Sequence, residues 1–146
     1  QNGWISFDLE PKDEREFLKD FGEHLTNLHE VRLDMLLWRG STSTASRVLP
    51  LVSDGHAKLG KARIALQRNL GGLQARISRI PKELKGDPGL AYDRFKWRLA
   101  HKLPKKAIQL LLSQSSDKGR LGHPNKWAAK RLVLARDLIW NKKYQI

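Results

Sequence analysis

The sequence has no cysteine, a single methionine, and no apolar run near the roughly 20 residues that a membrane-spanning helix needs. Without cysteine the chain has no means of building a disulfide scaffold, a zinc finger, an iron–sulfur site or a thiol nucleophile. Proline and glycine number only 6 and 11, which excludes collagen-like and low-complexity chains. At 146 residues the chain is long enough to bury a core, so the sequence predicts one folded domain.

Acidic side chains are scarce in the second half of the chain. The net charge is +13, and all of this excess lies in residues 76–146, where 18 basic and 5 acidic side chains occur. A positive field of this density attracts polyanions such as nucleic acid, anionic lipid or acidic cell-wall polymer. The alternative interpretation is the solvated surface of a basic helical protein that has no polyanionic partner.

Apolar residues recur at helical spacing along the whole chain, and the sustained alternation typical of strands does not occur. The pattern predicts an all-α fold, with an extended segment over residues 1–11 followed by about eight helices. Their predicted ranges are 12–25, 27–39, 42–50, 54–68, 71–80, 88–101, 104–114 and 124–142. Asp87-Pro88 is a strong helix start, and Gly40 and Asn69 are stops. Further caps are expected at Thr26 or Asn27 and at Ser53 or Asp54.

Long and short helices alternate from residue 27 onwards, which predicts an internal repeat of helical hairpins. Such hairpins fit an irregular α-solenoid, or superhelix, of the tetratricopeptide type, in which each pair buries its apolar face against its neighbours. A compact helix bundle is the alternative. In the last helix we expect five residues to be buried: Trp127, Ala128, Leu132, Ala135 and Ile139. Because Trp140 and Ile146 are apolar at the chain end, we expect residues 1–146 to be one helical-repeat domain fragment, truncated at a repeat boundary.

Several stretches, in the same order, resemble the helical superhelix domain of bacterial soluble lytic murein transglycosylases. They are RLDMLLWRG at residues 32–40, ARIAL at 62–66, DPGLAYDRFKWR at 87–98, AIQLLL at 107–112, and PNKW with LVLAR at 124–127 and 132–136. The resemblance runs from about residue 14 to the end. One departure is Lys126-Trp127, where the family often has two adjacent tryptophans; a second is Ala128-Ala129-Lys130, which replaces a more acidic stretch.

In that family a ring or U of stacked helices precedes a C-terminal lysozyme-like domain, which cleaves the glycan strand of peptidoglycan and forms a 1,6-anhydro sugar. The resemblance covers only the helical part. It implies a periplasmic protein whose partners are glycan strands or muropeptides, the catalytic domain of the same parent chain, and other cell-wall proteins. It implies no specific nucleic-acid partner.

We expect no catalysis by this chain alone. The family's catalytic glutamate lies in a Glu-Ser motif followed by Gly-Leu-Met-Gln, and the sequence contains neither. A glycosidase needs a carboxylic acid in a desolvated cleft, whereas the glutamates here fall on predicted polar faces, first turns or linkers: Glu10, Glu14, Glu16, Glu23, Glu30 and Glu83. The histidines are scattered and lack the spacing of metal ligands, so we expect neither a metal nor a cofactor.

Binding is the remaining function. Arg94, Arg98 and either His101 or Lys102 follow one another at near-helical spacing beside Trp97. Three basic residues lie beside Trp127 in the same way: Lys126, Lys130 and Arg131. Basic groups can pair with muramyl or peptide-stem carboxylates, and tryptophan offers a flat face to sugars. The alternative is that both tryptophans pack between helices while the charges solvate the surface.

The leading hypothesis is therefore the non-catalytic superhelical arm of a periplasmic lytic transglycosylase, which binds and positions the enzyme on the cell wall. A protein-interaction solenoid that holds a peptide on its concave face is the second hypothesis. Nucleic-acid binding is the third, because the sequence has a large positive charge but no recognisable base-reading module.

Overall fold

The structure, a computed structural model, describes residues 9–25, 28–115 and 120–144. These residues form helices and no strand, which confirms the predicted all-α fold. Two short 3-10 helices, Leu49–Leu51 and Lys82–Leu84, lie in connections. In chain order the eight α-helices are α1 (Pro11–Leu25), α2 (His29–Arg39), α3 (Thr42–Val48), α4 (Asp54–Arg68), α5 (Leu73–Ser78), α6 (Pro88–Ala100), α7 (Pro104–Ser115) and α8 (Pro124–Tyr144).

Local signals in the sequence end and begin these helices as expected. Gly40 closes α2 with a φ of +83°, and Asn69 closes α4 with a φ of +54°, the left-handed conformation in which these two residues are favoured. Asp87 begins α6, because its Oδ2 accepts a hydrogen bond from the Leu90 backbone N–H at 2.8 Å.

Neither of the two further caps expected from the sequence is observed as a side-chain cap among the described residues. Ser53 precedes α4, but its hydroxyl hydrogen-bonds to the His56 ring nitrogen at 2.9 Å instead of capping a backbone N–H. The expected cap at Thr26 or Asn27 lies outside the described residues.

Helix α4 is the centre of the packing, in contact with α2, α3, α5 and α6, while α7 packs on α6. One buried cluster fills the space between α2, α3 and α4, a second joins α4 to α6, and a third lies among α2, α6, α7 and α8. The first cluster contains Leu33, Leu36, Leu37, Ala45, Val48 and Ile64. The second contains Leu59, Ala62, Leu66, Ile80 and Leu90. The third contains Trp38, Ala91, Tyr92, Phe95, Ala107, Leu121, Trp127 and Leu134.

Aromatic rings hold the third cluster together across most of the chain. Trp38 of α2 lies 5.3 Å from Tyr92 of α6, measured between ring centroids, and Tyr92 lies 5.3 Å from Trp127 of α8. The Trp127 indole N–H donates to the Leu121 carbonyl at 2.9 Å, so its one polar group is satisfied in the core. The Lys126 ammonium donates to the Trp38 carbonyl at 2.8 Å. Contacts therefore reach from the second helix to the last.

The expected buried face of α8 is wrong for four of its five residues. Trp127 is buried, but Ala128 and Ala135 are exposed, Leu132 and Ile139 are 68% and 67% exposed, and Leu134 is buried in their place. Glu14 of α1 is also wrong as a solvated side chain, since it is buried against two arginines. Among the described residues, no helix has both the length and the apolarity to cross a bilayer.

Candidate polyanion-binding surface

Three of the predicted binding residues line a single groove. The Asp87 cap sets the start of α6, and Arg94, Trp97 and Arg98 then fall on one side of that helix at spacings of three and four residues. They face α5 and the turn after α4, and Lys106 of α7 joins them. We call this cavity of about 500 Å³ the Trp97 groove; its other lining residues are Leu66, Asn69, Leu70, Gly71, Gly72, Leu73, Gln74, Ile77 and Leu103.

Trp97 is half-buried and makes several contacts within the protein. Its indole N–H donates to the Asn69 side-chain oxygen at 3.2 Å, and its ring packs against the second buried cluster. The His101 ring stacks on it, with centroids 3.9 Å apart and planes 18° from parallel. One face of the indole is therefore covered, and Trp97 forms a wall of the groove more than an open platform for a sugar.

The cations of the Trp97 groove are crowded together. Arg98 donates to the Lys106 carbonyl at 2.9 Å, which ties α6 to α7. Burial, followed by repulsion from Arg94, lowers the pKa of Arg98 below its ordinary value. In the part of the chain that the structure describes, no carboxylate forms an ion pair with Arg94, Arg98 or Lys106. An anion in the groove would relieve this repulsion.

A second cavity, of about 410 Å³, also borders Trp97 and is lined by Lys96, Asp93 and His101 among others. Burial lowers the pKa of Lys96, Asp93 opposes this effect, and the positive charges of Lys130 and Lys126 lower the pKa further. Lys130 of α8 lines neither this cavity nor the Trp97 groove. Basic groups thus line both cavities that border Trp97.

The remaining predicted residues lie elsewhere. Lys102 is exposed just after α6, with a φ of +55°, and lines neither of these cavities. Arg131 of α8 is hydrogen-bonded to the Ser115 hydroxyl at the end of α7. Lys106 and Lys96 were not predicted from the sequence as binding residues. Pro104 does place Lys105 and Lys106 in the first turn of a helix, but only the packing of α7 on α6 selects the one that reaches the groove.

A buried charge network, which was also not predicted from the sequence, contributes Asp93 and Gln67 to the lining of the second cavity. The Arg63 guanidinium is 1% exposed, and it donates to Asp93 and to Asp34 at 2.8 Å each. It also lies over the Trp38 ring, 5.4 Å from the centroid. Burial raises the pKa of Asp93, and Arg63 and Gln67 oppose this rise by pairing with the carboxylate. The network joins α2, α4 and α6.

One cleft of about 340 Å³ is lined by three acidic side chains. Carboxyl groups in a cleft are candidates for acid catalysis. Its carboxylates all have partners in the protein: Glu30 pairs with His56, Asp34 pairs with Arg63, and Asp87 caps α6. Burial raises the pKa of Asp87, although its bond to the Leu90 N–H opposes the shift. These contacts give each carboxylate a structural role. Among the described residues, no group of three or more potential ligands could hold a metal ion.

A further small basic cavity, of about 130 Å³, lies away from the groove and is lined by Lys58, Lys61, Arg76 and Arg79. All four of these lining residues are basic, and none of them is aromatic.

The chain matches no protein-family model, and no curated protein and no solved structure is significantly similar to it.

Proposed function

We propose that this chain is a non-catalytic helical domain of a periplasmic peptidoglycan lytic transglycosylase. In this role it binds the cell wall through its basic surface and positions a glycan-cleaving domain of the same parent chain. The starting point is the resemblance of five stretches to the superhelix domain of that family.

The observation that carries the proposal is that four of these stretches meet in one place. Trp38 comes from the first stretch, Arg63 from the second, Asp93 and Tyr92 from the third, and Trp127 from the fifth. Arg63 pairs with Asp93 beneath Trp38, Trp38 packs on Tyr92, and Tyr92 packs on Trp127. Stretches that are far apart in the sequence thus pack against one another in the fold. This supports a resemblance of fold, because fold-determining residues are expected to occur together.

A superhelical arrangement of hairpins is part of the same proposal. Packing of α2 on α4 and of α4 on α6 supports it, because successive long helices of a repeat array are neighbours. The Lys126 bond to Trp38 brings the start of α8 back to α2, so an array of this kind would have to be strongly curved. A compact bundle is the alternative arrangement, and it makes the same two kinds of contact.

Charge supports a polyanionic partner. The excess of +13 lies in the second half of the chain, and the Trp97 groove brings three of its cations together without a carboxylate partner among the described residues. Carboxylates of the stem peptides, and of lactyl groups that carry no peptide, make peptidoglycan an acidic polymer, and each arginine can bind a carboxylate through two parallel hydrogen bonds.

Co-sedimentation with purified peptidoglycan sacculi tests this function. We expect the protein to pellet with sacculi at moderate salt, to stay bound when duplex DNA is added, and to release no soluble sugar. An Arg94→Glu/Arg98→Glu variant should lose binding, whereas Lys61→Glu/Arg79→Glu, which makes the same change of charge at the other basic cavity, should retain most of it.

Three results would overturn the proposal. They are failure of the protein to pellet with sacculi at any salt concentration, displacement of the bound protein by DNA, and release of soluble sugar. Displacement by DNA with a steep salt dependence would indicate a general polyanion surface instead.

A further inference from the structure

Two cavities of the protein are lined by several cations, and their linings differ. The small cavity of about 130 Å³ is lined by basic residues, so it offers a ligand positive charge and hydrogen-bond donors. The lining of the Trp97 groove combines cations with aliphatic side chains, which are Leu66, Leu70, Leu73, Ile77 and Leu103. A ligand complementary to this mixed lining has acidic groups for the cations and apolar groups for the aliphatic side chains.

The charged and the aliphatic residues of the Trp97 groove come from different elements. Arg94 and Arg98 belong to α6 and Lys106 belongs to α7, whereas Leu73 and Ile77 belong to α5. The groove therefore offers positive charge from α6 and α7 and aliphatic surface from α5. A ligand can use both only if its acidic groups and its apolar groups are close together.

Both kinds of lining are available to a ligand before it binds. The Arg98 guanidinium is held in place by its hydrogen bond to the Lys106 carbonyl at 2.9 Å, and a donor that is already positioned loses less entropy when it binds an anion. Leu70 is 40% exposed, so a ligand can remove apolar surface from water there. An acidic group near Arg94 and Arg98 would also reduce the repulsion between these two cations.

We propose that the Trp97 groove binds a small amphipathic anion, an organic acid whose acidic groups lie next to short aliphatic groups. The acidic groups pair with Arg94, Arg98 and Lys106, and the aliphatic groups contact Leu70 and Ile77. The volume of about 500 Å³ lies within the roughly 300–1,000 Å³ of ligand sites. This inference follows from the lining of the groove and does not depend on the proposed cell-wall function. A free acid and an acidic peptide segment both have this chemistry, and the experiment distinguishes them.

Calorimetric titration of the whole chain with matched synthetic peptides tests the site. One acetylated tetrapeptide alternates leucine with glutamate, a second alternates serine with glutamate, and a third alternates leucine with glutamine. The first has both features of the proposed ligand, and each of the others lacks one. We expect the leucine–glutamate peptide to bind at least about tenfold more tightly than either of the others, which corresponds to about 1.4 kcal/mol.

Isobutylsuccinate, a free acid with one aliphatic branch, is the fourth probe. If it binds with an affinity within about tenfold of that of the leucine–glutamate peptide, the ligand is a free acid of this kind. If the peptide binds and isobutylsuccinate does not, the ligand is an acidic peptide segment. Either result supports an amphipathic anion as the ligand of the groove.

Two pairs of matched variants test whether binding occurs in the groove. Lys106→Glu and Lys105→Glu make the same change in the first turn of α7, but only Lys106 lines the groove. Leu70→Ser and Leu51→Ser make the same change at leucines that lie outside the α-helices and are 40% and 36% exposed, and only Leu70 lines the groove. We expect Lys106→Glu to weaken binding of the leucine–glutamate peptide about tenfold, Leu70→Ser about fivefold, and each control less than about twofold.

Four results would overturn the inference. Equal affinity for the leucine–glutamate and serine–glutamate peptides would mean that the aliphatic residues do not contact the ligand, and equal affinity for the leucine–glutamine peptide would mean that the cations do not. Absence of binding by every probe, or equal losses within either pair of variants, would also overturn it. The sacculus experiment uses none of these probes, so the cell-wall function and this inference can each fail alone.

Discussion

The guanidinium of Arg63 lies against the backbone of Gly89, so closely that a Cβ at Gly89 would come within 2.3 Å of the Arg63 Cζ. The arginine cannot move away readily, because it is buried and is bonded to both Asp93 and Asp34. Glycine at this position is therefore a packing requirement in the first turn of α6.

Gly89→Ala should destabilise the protein by about 1–3 kcal/mol, the range for forcing extra atoms into a packed core. Gly22→Ala is the control, since Gly22 is also helical and an added Cβ there meets nothing within 4 Å. Helix propensity alone predicts a gain of about 0.5–1 kcal/mol for that change. The measurement is the free energy of unfolding in urea. If Gly89→Ala and Gly22→Ala both raise the free energy of unfolding, the close packing of Arg63 on Gly89 is contradicted.

Asp93 and Asp34 bind the same arginine from very different surroundings. Asp93 is buried, whereas the Asp34 side chain is 47% exposed. Asp93→Asn should cost about 3–5 kcal/mol, because it leaves a buried charge poorly compensated. Asp34→Asn should cost no more than about 1 kcal/mol. Chemical denaturation of the two variants checks this difference, and equal losses would mean that Arg63 does not depend mainly on the inner carboxylate.

Glu14 attaches α1 to the rest of the protein. Its Oε2 lies 3.1 Å from an Arg47 nitrogen and 3.5 Å from one of Arg32, and the same Arg47 nitrogen donates to the Leu9 carbonyl at 2.8 Å. The apolar side of α1 contributes less, since Phe21 is about half exposed.

Glu14→Gln should therefore destabilise the protein by about 3 kcal/mol, and amide hydrogen exchange should increase most within α1. Glu16→Gln, a change of the same kind at an exposed position two residues away, should alter stability by less than about 0.5 kcal/mol. If amide hydrogen exchange in Glu14→Gln increases equally in all helices, Glu14 does not act mainly by attaching α1.

His29 makes stability depend on pH. Burial, followed by the nearby Arg32 charge, lowers its pKa below the ordinary value of 6.5. The unfolded chain thus binds the proton more readily than the folded chain, so this contribution to stability is complete above pH 6.5 and is lost as the pH falls below it. Over that acidic range, the free energy of unfolding should decrease less in His29→Gln than in the wild-type protein. If the free energy of unfolding falls with pH equally in both proteins, His29 is not the source of this pH dependence.

Local sequence signals predicted the helices because their causes are themselves local. Asp87-Pro88 supplies a cap and a residue with a fixed φ, and Gly40 permits the left-handed turn after α2; neither depends on distant residues. The candidate site was predicted in part for the same reason. Arg94, Trp97 and Arg98 share one helix face, whereas Lys106 joins them only through the packing of α7 on α6.

The buried charges could not be predicted in this way. Glu14 occurs among polar residues and in sequence resembles a solvated side chain, whereas Arg63 lies between Ala62 and Ile64. The charged partners of both residues are distant in sequence: Arg32 and Arg47 for Glu14, and Asp34 and Asp93 for Arg63. Pairing across such distances is a property of the tertiary fold, and helical periodicity contains no information about it.

Helix α8 gives the sharpest comparison between sequence pattern and structure. Apolar residues occur on every side of this helix, so their period does not select a buried face, and the expected Leu132 is 68% exposed while Leu134 is 6% exposed. Leu134→Ala should cost about 2–5 kcal/mol through loss of core packing, whereas Leu132→Ala should change stability by less than about 0.5 kcal/mol. Both variants replace leucine with alanine two positions apart in one helix, so propensity cancels in their difference. Urea denaturation decides the point: a larger loss in Leu132→Ala would mean that α8 presents its other face to the core.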